Sequence, residues 1–378
     1  MAGIYIHIPF CASRCPYCDF SSTADFSERE IACYLDCVKH EAETRADNAR
    51  GLVFDTLFIG GGTPSIVPAA GLAGLVERCL GLFTWKNMPD PEITVEANPD
   101  SIRLDALSEL VQSGANRLSM GVQDLTSSGL AILGRRHSAR QAEDAVRTAR
   151  KAGFPAVNID IIYGFPGQDM KGVATTLEKA VRLEPEHISC YELTLAEGTV
   201  MQREVEKGRL VMPEEEMREA MTDLVEEYLA GHGYHQYEIS NFAKPGFECR
   251  HNMDCWDGGQ YLGLGCSAVS FLAGQRMGNR RSPAGYMKMV TEGRSPVEWI
   301  EPPDIRRSFR ELIITGLRTN KGISPENLAS RFGIDMMKQY RKEIMQLTEW
   351  GMLTHEYGRI RLTLRGRRLA NQVLCRFV

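Results

Sequence analysis

Six β-rich runs alternate with stretches of helical apolar spacing through the first half of the chain, and this alternation constrains the fold more than any other feature. The runs fall at 3–8 (GIYIHI), 54–59 (FDTLFI), 92–97 (EITVEA), 116–120 (NRLSM), 156–162 (AVNIDII) and 187–193 (HISCYEL). A stretch such as 138–152 (SARQAEDAVRTARKA) has the spacing of an amphipathic helix, opens on a Ser cap and closes at Gly153. Repeated βα units require a parallel sheet, because parallel strands need a long crossover between them. Six units are too few for a closed eight-stranded barrel. The expected fold class is therefore α/β, a partial (β/α)6 TIM-like barrel whose active site lies at the C-terminal strand ends.

The pattern becomes irregular from about 196 to 303. A long helix is expected at 213–230, with Glu214, Glu215 and Glu216 at the start, where the helix dipole favours negative charge. A new unit is expected from Asp304, reading helix (305–318), helix (324–332), helix (335–350), a β-ribbon turning at Gly358 and a last helix (364–376). That order predicts a winged-helix-like α+β domain. The expected division is thus 1–195, 196–303 and 304–378. Residues 304–378 hold 15 Lys or Arg against 7 Asp or Glu, so this unit is strongly basic although the whole chain carries a net charge of −5. Basic faces also serve solubility and docking, so nucleic-acid binding is not the expected role.

Hydrophobic residues at 43% and charged residues at 25% are those of a water-soluble globular chain. Neither a run of about 18 apolar residues nor a secretory signal pattern is present, so a cytoplasmic location is expected. Eleven cysteines, an odd number at irregular spacing, make a poor disulfide framework. Most, such as Cys33, Cys37 and Cys79, fall in helical segments where cysteine acts as a small apolar residue.

Three cysteines differ. Cys11, Cys15 and Cys18 stand at Cys-x3-Cys-x2-Cys spacing directly after the first strand, in "IYIHIPFCASRCPYCDF". Pro16 disfavours helical geometry at the residue before it, so the segment is expected to be a loop. Three thiolates from one loop can hold three corners of a cubane iron–sulfur cluster, leaving a fourth iron without a protein ligand. Two other readings stay open on the residues alone: a zinc site using His7, although the usual paired spacings are absent, and three core cysteines with no ligand role.

At this point the sequence resembles the radical S-adenosylmethionine (SAM) proteins. "CASRCPYC" matches their cluster loop, and "IYIHIPFC" is similar to the coproporphyrinogen-oxidase-like branch, including the HemW-type heme chaperones. The resemblance continues through "GGGTPS" (60–65), "VEANPD" (95–100), "SMGVQD" (119–124) and "NIDIIYGFPGQ" (158–168), in family order at successive strand ends, and covers essentially the whole chain. It implies a [4Fe–4S] cluster on Cys11, Cys15 and Cys18, with SAM chelating the open iron and the cofactors supplying the radical chemistry. Gly61 and Gly62 would let backbone approach the methionine part of SAM, and Thr63 adds a hydroxyl. The resemblance assigns Glu96, Gln123, Arg135 and Asp160 to cofactor contacts, and Tyr5 and Tyr17 to the neighbourhood of the cluster. Without it, Arg135 and Arg136 read as a solvated pair.

The chain also departs from that pattern. Coproporphyrinogen decarboxylases of this branch carry another cysteine two positions after the third ligand, where this chain has Phe20. They also have a long segment before a first strand that here is expected to begin at Gly3. Both differences point toward the chaperones, whose His-Asn-x-x-Tyr-Trp motif is proposed to hold heme. The matching stretch is "HNMDCW" from His251 to Trp256, with Cys255 in the tyrosine position. His251 is the expected axial ligand, Trp256 could stack on a porphyrin, and the Cys255 thiolate is an alternative ligand.

The expected function is therefore a heme chaperone with three cofactors: the cluster, SAM and heme. The resemblance implies heme-accepting client proteins, an electron donor such as flavodoxin or ferredoxin, a homodimer and peripheral membrane association. Two alternatives from other classes are an oxygen-independent coproporphyrinogen III oxidase and a nucleic-acid-modifying radical enzyme.

Overall fold

The computed structural model describes residues 2–86 and 91–378. Six parallel strands form its centre in sequence order: β1 (Ala2–Ile8), β2 (Phe54–Gly61), β3 (Glu92–Ala97), β4 (Arg117–Gln123), β5 (Ala156–Tyr163) and β6 (His187–Glu192). All six coincide with the predicted runs. Helices cross between them, and their apolar stripes cover the sheet. The helix Ala139–Ala152 shows why the local reading works. Ser138 and Gln141 cap each other's backbone reciprocally, Ala142, Ala145, Val146 and Ala149 are buried, and Gly153 ends the helix at φ 97°.

The middle segment does more than extend the barrel irregularly. Its strands join the same sheet at both ends. On one side β7 (His235–Gln236) and β8 (Asn241–Ala243) add antiparallel to β6. On the other, β9 (Gln260–Leu264) pairs parallel with β1 and continues antiparallel into β10 (Val269–Leu272), β11 (Gln275–Asn279) and β12 (Val297–Glu301). The result is one open twelve-stranded sheet. The predicted long helix runs Glu215–Gly231. Strands as short as these, interrupted by glycines, carry too little alternation to be read from the chain.

The helix Arg250–Trp256 packs against β1, β2 and β9, and the helix Ile305–Leu317 packs against it in turn. The C-terminal region has its own buried cluster, from Phe309 to Phe377, beside the barrel core. It follows the predicted order of helices and ribbon, with β13 (Leu353–Glu356) and β14 (Arg359–Leu362) paired antiparallel. Two predicted helices are each split in two. The 335–350 helix breaks at Tyr340, where the ring packs between Phe309 and Phe377 and the hydroxyl donates to the Phe377 carbonyl at 3.0 Å. The 364–376 helix breaks at Leu369.

Candidate functional site

The cysteine segment is a loop, as Pro16 predicts. It is held at its base by Cys11 N–H to the Thr23 carbonyl (2.9 Å) and folds back through Cys18 N–H to the Cys15 carbonyl (3.2 Å). Behind it lies a small apolar cluster of Leu133, Ile162, Phe165, Leu193 and Met201, against which Tyr17 packs. The exit of β2 is tied to the same loop by Gly62 N–H to the Ile8 carbonyl (2.7 Å) and Thr63 N–H to the Phe10 carbonyl (2.8 Å).

Glycine is demanded at this junction. A Cβ on Gly62 would lie 2.6 Å from the Phe10 carbonyl oxygen and 3.0 Å from Cys11 Sγ. Gly61 sits at φ 114°, and a Cβ there would meet the His7 ring at 2.5 Å.

The mouth of the barrel encloses a cavity of about 130 Å³. Cys11, Cys15, Cys18, Tyr17, Gly61, Gly62, Thr63, Glu96, Gln123, Arg135 and Asp160 all line it. Eleven of the thirteen residues assigned from the sequence therefore converge there, from the cysteine loop, four strand ends and, for Arg135, the turn after the helix Ser127–Ile132. Tyr5 is set back, with its hydroxyl on His7 Nδ1 at 2.9 Å. His7 Nε2 meets the Ser21 carbonyl at 2.8 Å, so both ring nitrogens are engaged within the protein. Burial pushes the His7 imidazole pKa down, keeping it neutral.

Among the described residues no three His, Cys, Asp or Glu side chains converge as a single metal ion would require. The three thiols instead border a shared space. This suits a cubane, in which each thiolate binds a different iron. It does not suit a mononuclear zinc site, and His7 is not free to complete one.

Polar groups around this space form one network. Arg135 Nη1 lies 3.3 Å from Cys15 Sγ, and its Nη2 donates to Asn98 Oδ1 (2.6 Å) and the Gly121 carbonyl (2.7 Å). Asn98 Nδ2 donates in turn to Thr63 Oγ1 at 3.0 Å, and the Thr63 hydroxyl faces Cys11 Sγ at 3.5 Å. The guanidinium is fixed beside the Cys15 sulfur by uncharged acceptors. Arg135, which lines the cavity, keeps its Nε buried with no hydrogen-bond partner among the described residues. Asn98 lies within the "VEANPD" motif but was missed, because its role depends on an arginine 37 residues away in sequence.

Two carboxylates stand across β4 from each other at the inner side of this cavity. Glu96 is pushed up to about 7, by burial first and by Asp160 second, and accepts from Gly61 N–H at 3.0 Å. Burial also raises Asp160, which accepts from Asn158 Nδ2 at 2.7 Å. Two enclosed acids with no ion-pair partner among the described residues suit a positively charged ligand carrying hydroxyl or ammonium donors. Gln123, beside them, has φ 68°, a strained conformation for a non-glycine residue, at a bulge against β5. Thiols, a close-approach glycine turn, an unpartnered arginine nitrogen and an acidic pair together fit a [4Fe–4S] cluster and SAM.

The mouth opens inward to a cavity of about 500 Å³ in the barrel, which shares Tyr17, Glu96, Gln123 and Asp160 with it. A third cavity, of about 530 Å³, lies at the open side of the barrel against the C-terminal helices.

The HNMDCW motif divides between these places. His251 is 7% exposed and lines neither of the two larger cavities. Its Nδ1 meets Thr56 Oγ1 at 2.8 Å, its ring packs on Phe58 and its amide donates to Glu92 at 3.0 Å. Burial pushes its imidazole down to about 4. Cys255 and Trp256, one helical turn further on, line the side cavity. Cys255 is accessible because it faces that cavity, while the surrounding protein pushes its thiol up to about 12. Cys249 and Cys266 are buried and bonded, to Glu92 and Tyr34 respectively.

Comparison with known proteins places this geometry. Residues 5–180 match the radical SAM superfamily model and residues 308–369 the HemN C-terminal domain model. The Lactococcus lactis heme chaperone HemW is 34% identical over 376 residues, covering 99% of this chain and 96% of its own. The Bacillus subtilis heme chaperone HemW is 32% identical over 378 residues, with coverages of 100% and 99%. Among solved structures, the coproporphyrinogen III oxidase HemN from Escherichia coli superposes with a TM-score of 0.86 at 24% identity. It covers 100% of this chain and 89% of that one, a likeness of fold. With relatives of this identity spanning the full length, the chain belongs to the HemW family of the radical SAM superfamily.

Proposed function

We propose that this protein is a heme chaperone, which binds heme and delivers it to client proteins. The observation that carries this reading is the similarity, at 32–34% identity over nearly the whole chain, to relatives named as heme chaperones. Membership of the radical SAM superfamily brings a [4Fe–4S] cluster and SAM, which when bound supply radical chemistry by one-electron cleavage of the sulfonium.

The assignments in this reading are specific. Cys11, Cys15 and Cys18 hold the cluster. Gly61, Gly62 and Thr63 present backbone and hydroxyl groups to the methionine part of SAM, Glu96 and Asp160 receive its cationic and hydroxyl groups, and Gln123 and Arg135 complete the contacts. Tyr17 covers the cluster loop, and Tyr5 supports it through His7. A flavodoxin or ferredoxin serves as electron donor, the protein works in the cytoplasm, and a homodimer at the membrane surface is the form that meets clients. No helix among the described residues is long and apolar enough to cross a membrane.

Phe20 favours this reading over coproporphyrinogen oxidation. It stands where the decarboxylases have a cysteine, and it is 62% exposed beside the mouth. The test is an anaerobic titration of the cluster-reconstituted protein with hemin, alongside an assay for conversion of coproporphyrinogen III. Saturable heme binding without conversion is expected. Protoporphyrinogen formed at enzymatic turnover, with no heme bound, would overturn the proposal.

A further inference from the structure

The open side of the barrel carries a cavity that nothing so far has used. It lies where the parallel sheet fails to close, between β6 on one side and β9–β11 on the other, and helices of the C-terminal region form its outer wall. Its volume of about 530 Å³ is within the range of about 300–1,000 Å³ for small-molecule and cofactor sites.

The wall is built from flat rings. Tyr191, Trp256, Tyr261, Phe271 and Phe332 come from five separate places in the chain and all border the cavity. Such a surface takes a large planar apolar ligand.

Three guanidinium groups border it as well, those of Arg276, Arg318 and Arg331. Arg276 is engaged, in a two-pronged contact with Glu311 at 3.1 Å and 3.1 Å. The other two have no carboxylate partner among the described residues. Arg318 meets only Asn371 Oδ1 at 3.5 Å, and Arg331 donates to the Asp257 and Gly258 carbonyls at 3.3 Å and 2.6 Å. Glu238, the remaining acid of the wall, is buried, hydrogen-bonded to Asn241 and pushed up by burial. The cavity therefore presents two cationic groups with no matching anions, as a ligand with two carboxylates would require.

One thiol faces the same space. Among the described residues Cys255 is the sole cysteine of the wall, and no histidine lines it. From these observations we infer that heme binds in this side cavity, with its ring among the aromatic side chains, its two propionates on Arg318 and Arg331, and Cys255 as the axial ligand. Ligation exchanges the thiol proton, released to solvent, for the ferric iron, and no electron is transferred. His251, held behind this wall by Thr56 and Phe58, is a structural residue of the barrel. Tyr191 and Asn252 also line the barrel interior, so a porphyrin here adjoins the space that continues to the cofactor mouth.

The inference rests on the chain binding heme. Its test uses the full chain, titrated separately with hemin and with metal-free protoporphyrin IX. Cys255→Ser should shift the Soret band of the hemin complex and weaken hemin binding about tenfold while leaving protoporphyrin IX unaffected, because only the iron loses a partner. Arg318→Gln combined with Arg331→Gln should weaken both porphyrins about tenfold, as two charge-assisted contacts are lost. Thr315→Trp, which places bulk inside the cavity and leaves Cys255 and both arginines in place, should abolish both and provides a check independent of the arginine contacts to the barrel.

Wild-type spectra and affinities in all three variants, with a changed spectrum in His251→Ala, would overturn the side-cavity site while leaving heme binding intact. Failure of the unmodified protein to bind either porphyrin would remove the chaperone reading and this site together.

Discussion

The mouth of the barrel and its open side both hold cavities, but they are built from different materials. The mouth is made of backbone and short polar groups: a glycine turn pressed against the cysteine loop, an arginine fixed by Asn98 and Gly121, and two acids on alternate strands. The side cavity is made of large side chains delivered by β6, β9, β10, the helix Arg250–Trp256 and the C-terminal helices. The first tolerates almost no change in shape. The second depends on chemistry type and on how the C-terminal region seats against the barrel.

Breaking the mouth should leave the side intact. Cys15→Ala is expected to lose the cluster entirely by iron and sulfide analysis, because the loop has no spare thiol, while hemin affinity stays within about twofold. Simultaneous loss of both ligands would mean that the sites are not separate.

Gly62→Ala sharpens the shape argument. Its Cβ would press on a backbone carbonyl that cannot turn away, so SAM affinity should fall by about tenfold or more with the cysteines untouched. Calorimetry on the reconstituted protein reads this directly, and wild-type affinity would show the turn to be looser than its contacts imply.

His251→Ala separates stability from binding. Removing a buried ring that packs on Phe58 and bonds Thr56 should cost about 2–4 kcal/mol in chemical denaturation. The heme spectrum of the folded fraction should be unchanged.

The smallest effect is a pH dependence at the mouth. The folded pKa of Glu96 lies near 7, above the value of an exposed carboxyl, so the folded state holds the extra proton between about 4.5 and 7. The associated stability is fully present below that window and is lost as pH rises through it. A bound cation reverses the preference by favouring carboxylate, so SAM affinity should rise several-fold from pH 6 to pH 8. Glu96→Gln should flatten that profile, and an unchanged slope would assign the titration to another group.

The same contrast explains what the sequence disclosed. The six parallel strands and the cysteine loop were legible because their signals are local: alternating or continuous apolar runs, Pro16 after Cys15, glycines at a strand exit. Ten of the eleven assigned residues that meet in the mouth lie near the end of a readable strand or in the loop that follows one, and Arg135 comes from the turn after the helix Ser127–Ile132. The strands β7–β12 were not legible, because runs of two to five residues carry no period. The breaks at Tyr340 and Leu369 were hidden too, and that at Tyr340 goes with tertiary packing on Phe309 and Phe377. His251 and Cys255 share one motif, and only the structure separates them, one turned into the barrel and one facing the side cavity.

The central claim is delivery, and the kinetics of hand-off test it most directly. Heme-loaded protein is mixed with an apo-cytochrome acceptor, and the Soret change is followed as acceptor concentration is raised. Direct transfer through a protein–protein complex predicts a rate that increases with acceptor concentration before saturating. A rate independent of acceptor concentration and equal to spontaneous heme dissociation would mean that the protein merely binds heme, and would contradict the account.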